Sequence, residues 1–178
     1  MRTRLEIINH YIRERGYKSY LEIGVYRGIN FEGVQCADKT GVDPVWPTTF
    51  KGTSDEFFKS SKQKFDLIFI DGLHEAKQVK RDIANSLRSL NPGGTILLHD
   101  CLPENELMQE VPRVTRDWTG DVWKAFVYYR RRPDLQMFVY NCDFGVGVIQ
   151  RGQQEPLIIN RPSYKGFAKN KALWMNVV

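Results

Sequence analysis

Two stretches of the chain are apolar without alternation. Phe65-Asp-Leu-Ile-Phe-Ile70 and Thr95-Ile-Leu-Leu98 carry large hydrophobic side chains on successive positions, so each reads as a strand covered on both faces. Between them, Glu75 to Leu90 spaces Val79, Ile83 and Leu87 four apart, the stripe of an amphipathic helix, and Asn91-Pro-Gly-Gly94 ends it. Strand, helix and strand in this order predict parallel neighbours joined by a right-handed crossover. Upstream, Arg2 to Arg15 sets Leu5, Ile8 and Ile12 on one stripe and stops at Gly16. Tyr20-Leu-Glu-Ile-Gly24 reads as a short strand, Asn30 to Ala37 as a helix, and Lys39-Thr-Gly-Val-Asp43 as a strand ended by Pro44. Residues 46–54 have no clear pattern, and Ser54-Asp-Glu-Phe57 reads as a capping box opening a short helix. Past a loop holding Pro103 and Pro112, Asp121 to Arg131 is helix-like. Leu135–Tyr140 and Phe144–Ile149 are strands joined only by Asn141-Cys-Asp143, a connection short enough to require an antiparallel hairpin.

Composition narrows the class. The 178 residues are 42% hydrophobic and 12% aromatic, enough for one sizeable core, with no repeat or low-complexity linker. One domain spanning 1–178 is expected, with an N-terminal helix (1–17), a core (18–150) and a basic aromatic tail (151–178). No apolar run approaches the roughly 20 residues of a membrane span. The charged start, Met1-Arg-Thr-Arg4-Leu-Glu6, lacks the apolar segment of a signal peptide. Cys36, Cys101 and Cys142 are without metal-ligand spacing, which reads as a reduced, cytoplasmic protein. Charge is uneven: residues 1–112 hold 15 Lys/Arg against 16 Asp/Glu, whereas residues 113–178 hold 11 against 5. Such a basic region suits nucleic acid, an anionic surface, an acidic small substrate, or solubility alone.

The chemistry-bearing residues gather at strand ends. Glu22-Ile-Gly24-Val-Tyr-Arg-Gly28 is a glycine turn between strand and helix, where the backbone can bend sharply and a ligand can approach closely. Its glycines lie four apart, unlike the dinucleotide fingerprint. Asp43 ends the next strand, where a carboxylate can accept both hydroxyls of a ribose. Asp71 and Asp100 follow two parallel strands and are joined by His74 and His99. Converging carboxylates can hold a hard divalent cation or polarise a hydroxyl, and histidine can serve as a general base. The plainer readings make Asp71 a helix cap and His99 a satisfied core-edge histidine. Arg130-Arg-Arg132 reads as a solvated helix end. Tyr164, Phe167 and Trp174, interleaved with Arg161, Lys165, Lys169 and Lys171, read as a tail packed on the body or on a partner subunit, with nucleic acid as the weaker option.

Together, Leu21-Glu-Ile-Gly-Val-Tyr-Arg-Gly28, Gly41-Val-Asp-Pro44, Phe65-Asp-Leu-Ile-Phe-Ile-Asp-Gly-Leu-His74, Asn91-Pro-Gly-Gly94 and Leu98-His-Asp100 resemble the class I S-adenosylmethionine-dependent methyltransferases, specifically methyltransferase family 24, over about residues 18–150. The resemblance implies an α/β, Rossmann-like three-layer sandwich whose mostly parallel seven-stranded sheet ends in an antiparallel hairpin. It implies S-adenosylmethionine held by Glu22, Gly24, Gly28, Asp43, Ser54 and Asp71, with Ser54 at the adenine. It also implies Asp71, His74 and His99 as catalytic candidates and Asp71 with Asp100 as candidate Mg²⁺ ligands. Cys101 stands where such metal sites carry Asp or Asn, and Leu73 where the family often has Asp, so a metal-free reaction with His74 or His99 as base is the alternative. The expected acceptor is a small polar molecule methylated on oxygen, a saccharide or an anion such as a phosphate- or carboxylate-bearing sugar. A catalytically inactive cofactor-binding module and a nucleic-acid methyltransferase or binder are the other readings. The N-terminal helix or the tail could support a homodimer, and no membrane partner is expected.

Overall fold

The computed structural model describes residues 3–178. Its chain runs α1 (Arg4–Arg15), β1 (Ser19–Ile23), α2 (Ile29–Gly33), β2 (Asp38–Asp43), β3 (Phe50–Lys51), α3 (Ser54–Ser60), β4 (Phe65–Ile70), α4 (Ala76–Ser89), β5 (Leu90–Leu98), α5 (Val122–Tyr129), β6 (Leu135–Tyr140), β7 (Val146–Arg151) and α6 (Tyr164–Met175). The seven strands form one sheet in the order β3-β2-β1-β4-β5-β7-β6. The first five are parallel, and β7 runs antiparallel between β5 and β6. This is the seven-stranded, hairpin-ended α/β sheet expected above.

The unbroken apolar runs are explained by two-sided burial. Along β4, Ile68 and Ile70 join a cluster with Val79, Ile83, Trp123 and Phe126 from α4 and α5. Leu67 and Phe69 point the other way, onto Ile7, Ile8, Tyr11 and Ile12 of α1. Successive strand residues face opposite layers, so α1 covers one face and α4, α5 and α6 the other.

Several boundaries move for local reasons. Of the helix expected from Arg2, Met1 and Arg2 lie outside the described residues; α1 starts at Arg4, with the Thr3 hydroxyl accepting the Glu6 N–H. The helix expected over 30–37 stops at Gly33, because the Asn9 side chain of α1 takes over: its amide donates to Gly33 O at 3.0 Å and its oxygen accepts the Gln35 N–H at 2.8 Å. The capping box belongs to Thr53 and Glu56, one residue earlier than Ser54 suggested, and the unpatterned segment before it contains the two-residue β3. Asn91-Pro-Gly-Gly94 is not a free turn but the start of β5, paired through Leu90 with Phe65 and irregular in register beyond it. The hairpin connection spans 141–145, since Asp143, Phe144 and Gly145 all take positive φ and curl out of the ladder.

The expected solvated helix end at 130–132 is corrected at its first residue. Arg130 is buried, its guanidinium directed at Met137 O and Gln154 Oε1, and burial lowers its pKa. In the tail, Phe167 lies 4.6 Å and Trp174 6.3 Å, ring to ring, from buried Trp123. The residues after α6 pair with β6, Val178 N–H donating to Val139 O at 2.9 Å. The tail aromatics therefore face the chain's own body.

Candidate functional site

Strand order reverses between β1 and β4, and their carboxyl ends open a crevice of the kind that binds ligands in doubly wound sheets. Gly24, directly after β1, has φ +88°, and a Cβ there would lie 2.2 Å from Asp71 O. No other residue lets the β1 turn rest on the backbone that leaves β4. Gly28 has φ +83°, and a Cβ there would meet only the Glu32 carboxylate at an ordinary 3.5 Å, so the left-handed conformation, not contact, demands glycine.

Asp43 is anchored by the same turn. Its Oδ2 accepts the Tyr26 N–H at 2.9 Å, and its Oδ1 accepts those of Val45 and Trp46 at 2.8 and 2.9 Å. Burial alone would raise its pKa, but these donors outweigh it and hold the carboxyl below its ordinary range. Glu22 lies deeper. Its Oε2 accepts the Tyr20 hydroxyl at 2.5 Å and the Asn30 amide at 2.9 Å, and burial pushes its pKa up to about 7. Glu22 and Asn30 line a cavity of about 390 Å³ that shares Arg4, Gly24, Tyr26 and Asp71 with a larger cleft of about 630 Å³. Asp43, Trp46, His74, Asp100 and Trp118 line the larger one. Ser54 is not brought to either: its hydroxyl donates to Asp82 Oδ1 at 2.6 Å, beneath α3 and α4.

At the floor of the cleft, acids and bases interleave. His74 Nε2 lies 3.3 Å from Asp71 Oδ1 and its Nδ1 3.0 Å from Asp100 Oδ2. Trp118 stacks on this imidazole at 5.3 Å between ring centroids. His99 is only 3% exposed, with Nδ1 3.2 Å from Asp71 Oδ1 and 3.0 Å from Asp100 Oδ1, and Nε2 3.4 Å from Asp143 Oδ1. These contacts are electrostatic, as neither ring nitrogen meets hydrogen-bond geometry. Burial would lower both histidine pKa values, but the surrounding carboxylates raise them, His99 the more strongly. The same imidazoles, acting against burial, hold Asp71 well below the usual carboxylate range.

Arg4 and Asp143 complete the cluster, and no motif in the sequence marks them. Arg4 sits on the polar side of an amphipathic helix and Asp143 in a turn, both common surface positions. The fold brings Arg4 Nη1 to 2.6 Å from Asp71 Oδ2 and its Nε to 2.9 Å from Asp143 Oδ2. The Arg4 backbone N–H also donates to Asp143 Oδ2, at 2.8 Å. Three carboxylates, Asp71, Asp100 and Asp143, thus lie among Arg4, His74 and His99. Asp71, His74 and Asp100 each offer a ligand atom within 4.8 Å of the others. Cys101 is buried and turned away, its thiol directed at Leu98 O at 3.4 Å.

This strand order, with a glycine turn at the switch point and acids at the ends of β2, β4 and β5, is the class I methyltransferase fold. The resemblance to methyltransferase family 24 stands beside it: residues 32–101, less than half of the chain, match that family's model, described as a methyltransferase domain. Curated protein sequences give no match. Among solved structures, the S-adenosylhomocysteine-bound methyltransferase PaMTH1 of Podospora anserina is 18% identical with TM-score 0.63, covering 86% of this chain and 80% of its own. The O-methyltransferase TomG of Streptomyces achromogenes, in complex with S-adenosylmethionine, is 12% identical with TM-score 0.60, covering 83% and 78%. An O-methyltransferase of Bacillus cereus in complex with S-adenosylhomocysteine is 14% identical with TM-score 0.56, covering 82% and 78%.

Proposed function

We propose that this chain is an S-adenosylmethionine-dependent methyltransferase acting on an oxygen of a small, polar, negatively charged acceptor such as an anionic saccharide. The observation that carries the reading is the meeting of the cofactor-type turn and the acid–histidine cluster at one contact, Gly24 against Asp71, inside a shared crevice. Glu22, Gly24, Gly28 and Asp43 would hold the cofactor, which supplies a methyl group activated on a sulfonium. Ser54, bonded to Asp82 elsewhere, is left out of that set. The negative charge of the acceptor is supported by Arg113 and Arg116 at the rim of the cleft. Three free cysteines fit a reduced, cytoplasmic setting, and no helix among the described residues is long and apolar enough to cross a membrane.

His74 is the base in this reading. Both imidazoles line the cleft, but the His74 side chain is 20% exposed and that of His99 only 3%. His74 Nδ1 lies 3.4 Å from Trp118 O, which can only accept, and 3.0 Å from Asp100 Oδ2; a proton held on Nδ1 leaves Nε2 to take a hydroxyl proton once the acceptor displaces its contact with Asp71. His99 and Arg4 act as positioning residues, holding Asp71 against Gly24. The donor set fits Mg²⁺ poorly. Mg²⁺ favours oxygen ligands and retained waters, whereas one of the three donors is an imidazole and the carboxylates already face Arg4, His74 and His99. No step is assigned to a metal.

Calorimetry with S-adenosylmethionine tests the reading: binding in the micromolar to low-millimolar range is expected, and no heat at millimolar cofactor would sink it. In an acceptor screen, His74→Ala should slow methyl transfer about a hundredfold or more while retaining cofactor binding. Cofactor binding without turnover in the wild-type protein would instead favour the inactive binding module.

A further inference from the structure

A concave groove of about 820 Å³ lies outside the cleft, between α4, α5 and the segment before α6. Five cationic side chains line it: Lys77, Lys80, Lys124, Arg131 and Arg161. The only carboxylate among its lining residues is Asp121, 3.3 Å from Lys124 Nζ. Asp121 Oδ1 also accepts the Ala76 N–H at 2.6 Å, so this acid is spent locally. Among the described residues, the other four cations form no ion pair. Two of them converge on one ring, with Lys80 Nζ 4.4 Å and Arg131 Cζ 4.6 Å from the Tyr128 centroid. Lys77, Arg131 and Arg161 are exposed and Lys80 is half-buried.

Four uncompensated cations around one concavity repel each other, and an anion placed among them relieves that cost. We propose that this groove binds a di- or triphosphate group of a small molecule. A singly charged anion would leave most of the positive charge unmatched. A diphosphate supplies two to four negative charges over a few ångströms, and its oxygens suit both the planar fork of Arg131 and the ammonium groups of Lys77 and Lys80. The volume lies within the usual range for small-molecule sites. The cations come from α4, from α5 and the turn after it, and from the 159–162 segment, so only folding assembles them. The site is independent of the methyltransferase reading.

Calorimetric titration with inorganic pyrophosphate and tripolyphosphate at low salt tests it, alongside orthophosphate and a single-stranded oligonucleotide. Pyrophosphate should bind and raise the melting temperature, with affinity falling as salt is added. Lys80→Ala with Arg131→Ala, and separately Lys77→Ala with Arg161→Ala, should each weaken it roughly tenfold or more. Lys165→Ala with Lys169→Ala, on the exposed side of α6, should leave it unchanged. Absence of binding at millimolar pyrophosphate, or equal loss in the α6 variant, would overturn the proposal. So would orthophosphate binding as tightly as pyrophosphate. Oligonucleotide binding that strengthens with length and far exceeds that of tripolyphosphate would assign the surface to nucleic acid instead.

Discussion

Glu22 makes stability depend on pH in a direction opposite to that of most carboxylates. Its carboxyl is 1% exposed, and burial raises its pKa from 4.5 to about 7 against the Tyr20 and Asn30 hydrogen bonds. The protonated form is therefore favoured by folding. Its contribution is complete below pH 4.5, declines as pH rises towards 7, and is gone above it. A rise of that size corresponds to about 3 kcal/mol. Glu22→Gln keeps the shape and an oxygen for Tyr20 and Asn30 but cannot ionise. Urea unfolding of both proteins from pH 4.5 to 8.5 should show the wild type losing about 3 kcal/mol relative to the variant. Asp82, buried beside Ser54 with a pKa of about 6, adds a similar slope to both proteins and cancels in the difference. Parallel stability curves would refute the reasoning, as would a wild type that gains on the variant with rising pH. If a cofactor ammonium lies beside Glu22, affinity for S-adenosylmethionine should also rise through pH 7 in the wild type and stay flat in the variant.

Gly24→Ala should cost more than about 2 kcal/mol and abolish cofactor binding, since its methyl would meet Asp71 O in a left-handed backbone; thermal melts and calorimetry check both. Because His74 must be neutral to act as base and its carboxylate neighbours raise its pKa, kcat should fall as pH drops below that raised value and lose this limb in His74→Ala. Chelation by EDTA should leave kcat unchanged; a loss restored by added Mg²⁺ would refute the metal-free reading. Neutralising Arg113 and Arg116 should raise KM for the acceptor severalfold with cofactor affinity intact; if only stability changes, these residues serve their own loop, where the Arg113 Nε–H donates to Thr115 O at 2.8 Å.

How far the sequence could be read depended on the range of the interactions involved. The strands at 65–70 and 95–98 were legible because two-sided burial writes itself into consecutive residues. The helix at 76–89 was legible because its stripe repeats every turn. The early end of α2 was not, because the group that stops it, the Asn9 amide, comes from another helix. Arg130 follows the same rule: Arg131 and Arg132 after it are exposed or paired at the surface, and its own burial depends on Met137 O and the Gln154 side chain, which come from elsewhere in the fold.

The site divides along the same line. Gly24, Asp43, Asp71 and Asp100 stand at strand ends, and a parallel sheet must bring strand ends together, so local pattern and topology already determined that they would share a crevice. Sequence placed Ser54 near them, but a rotation of one residue at the cap of α3 sends its hydroxyl to Asp82 instead. Arg4 and Asp143 are 139 positions apart, and neither carries a local signal. Their meeting over Asp71 was decided only when α1 packed against the face formed by Leu67 and Phe69 while the hairpin closed the sheet beside β5. Side-chain periodicity encodes burial, and burial is local enough to read in one dimension. Which charges end up facing each other depends on where whole elements dock, and that is settled only in three.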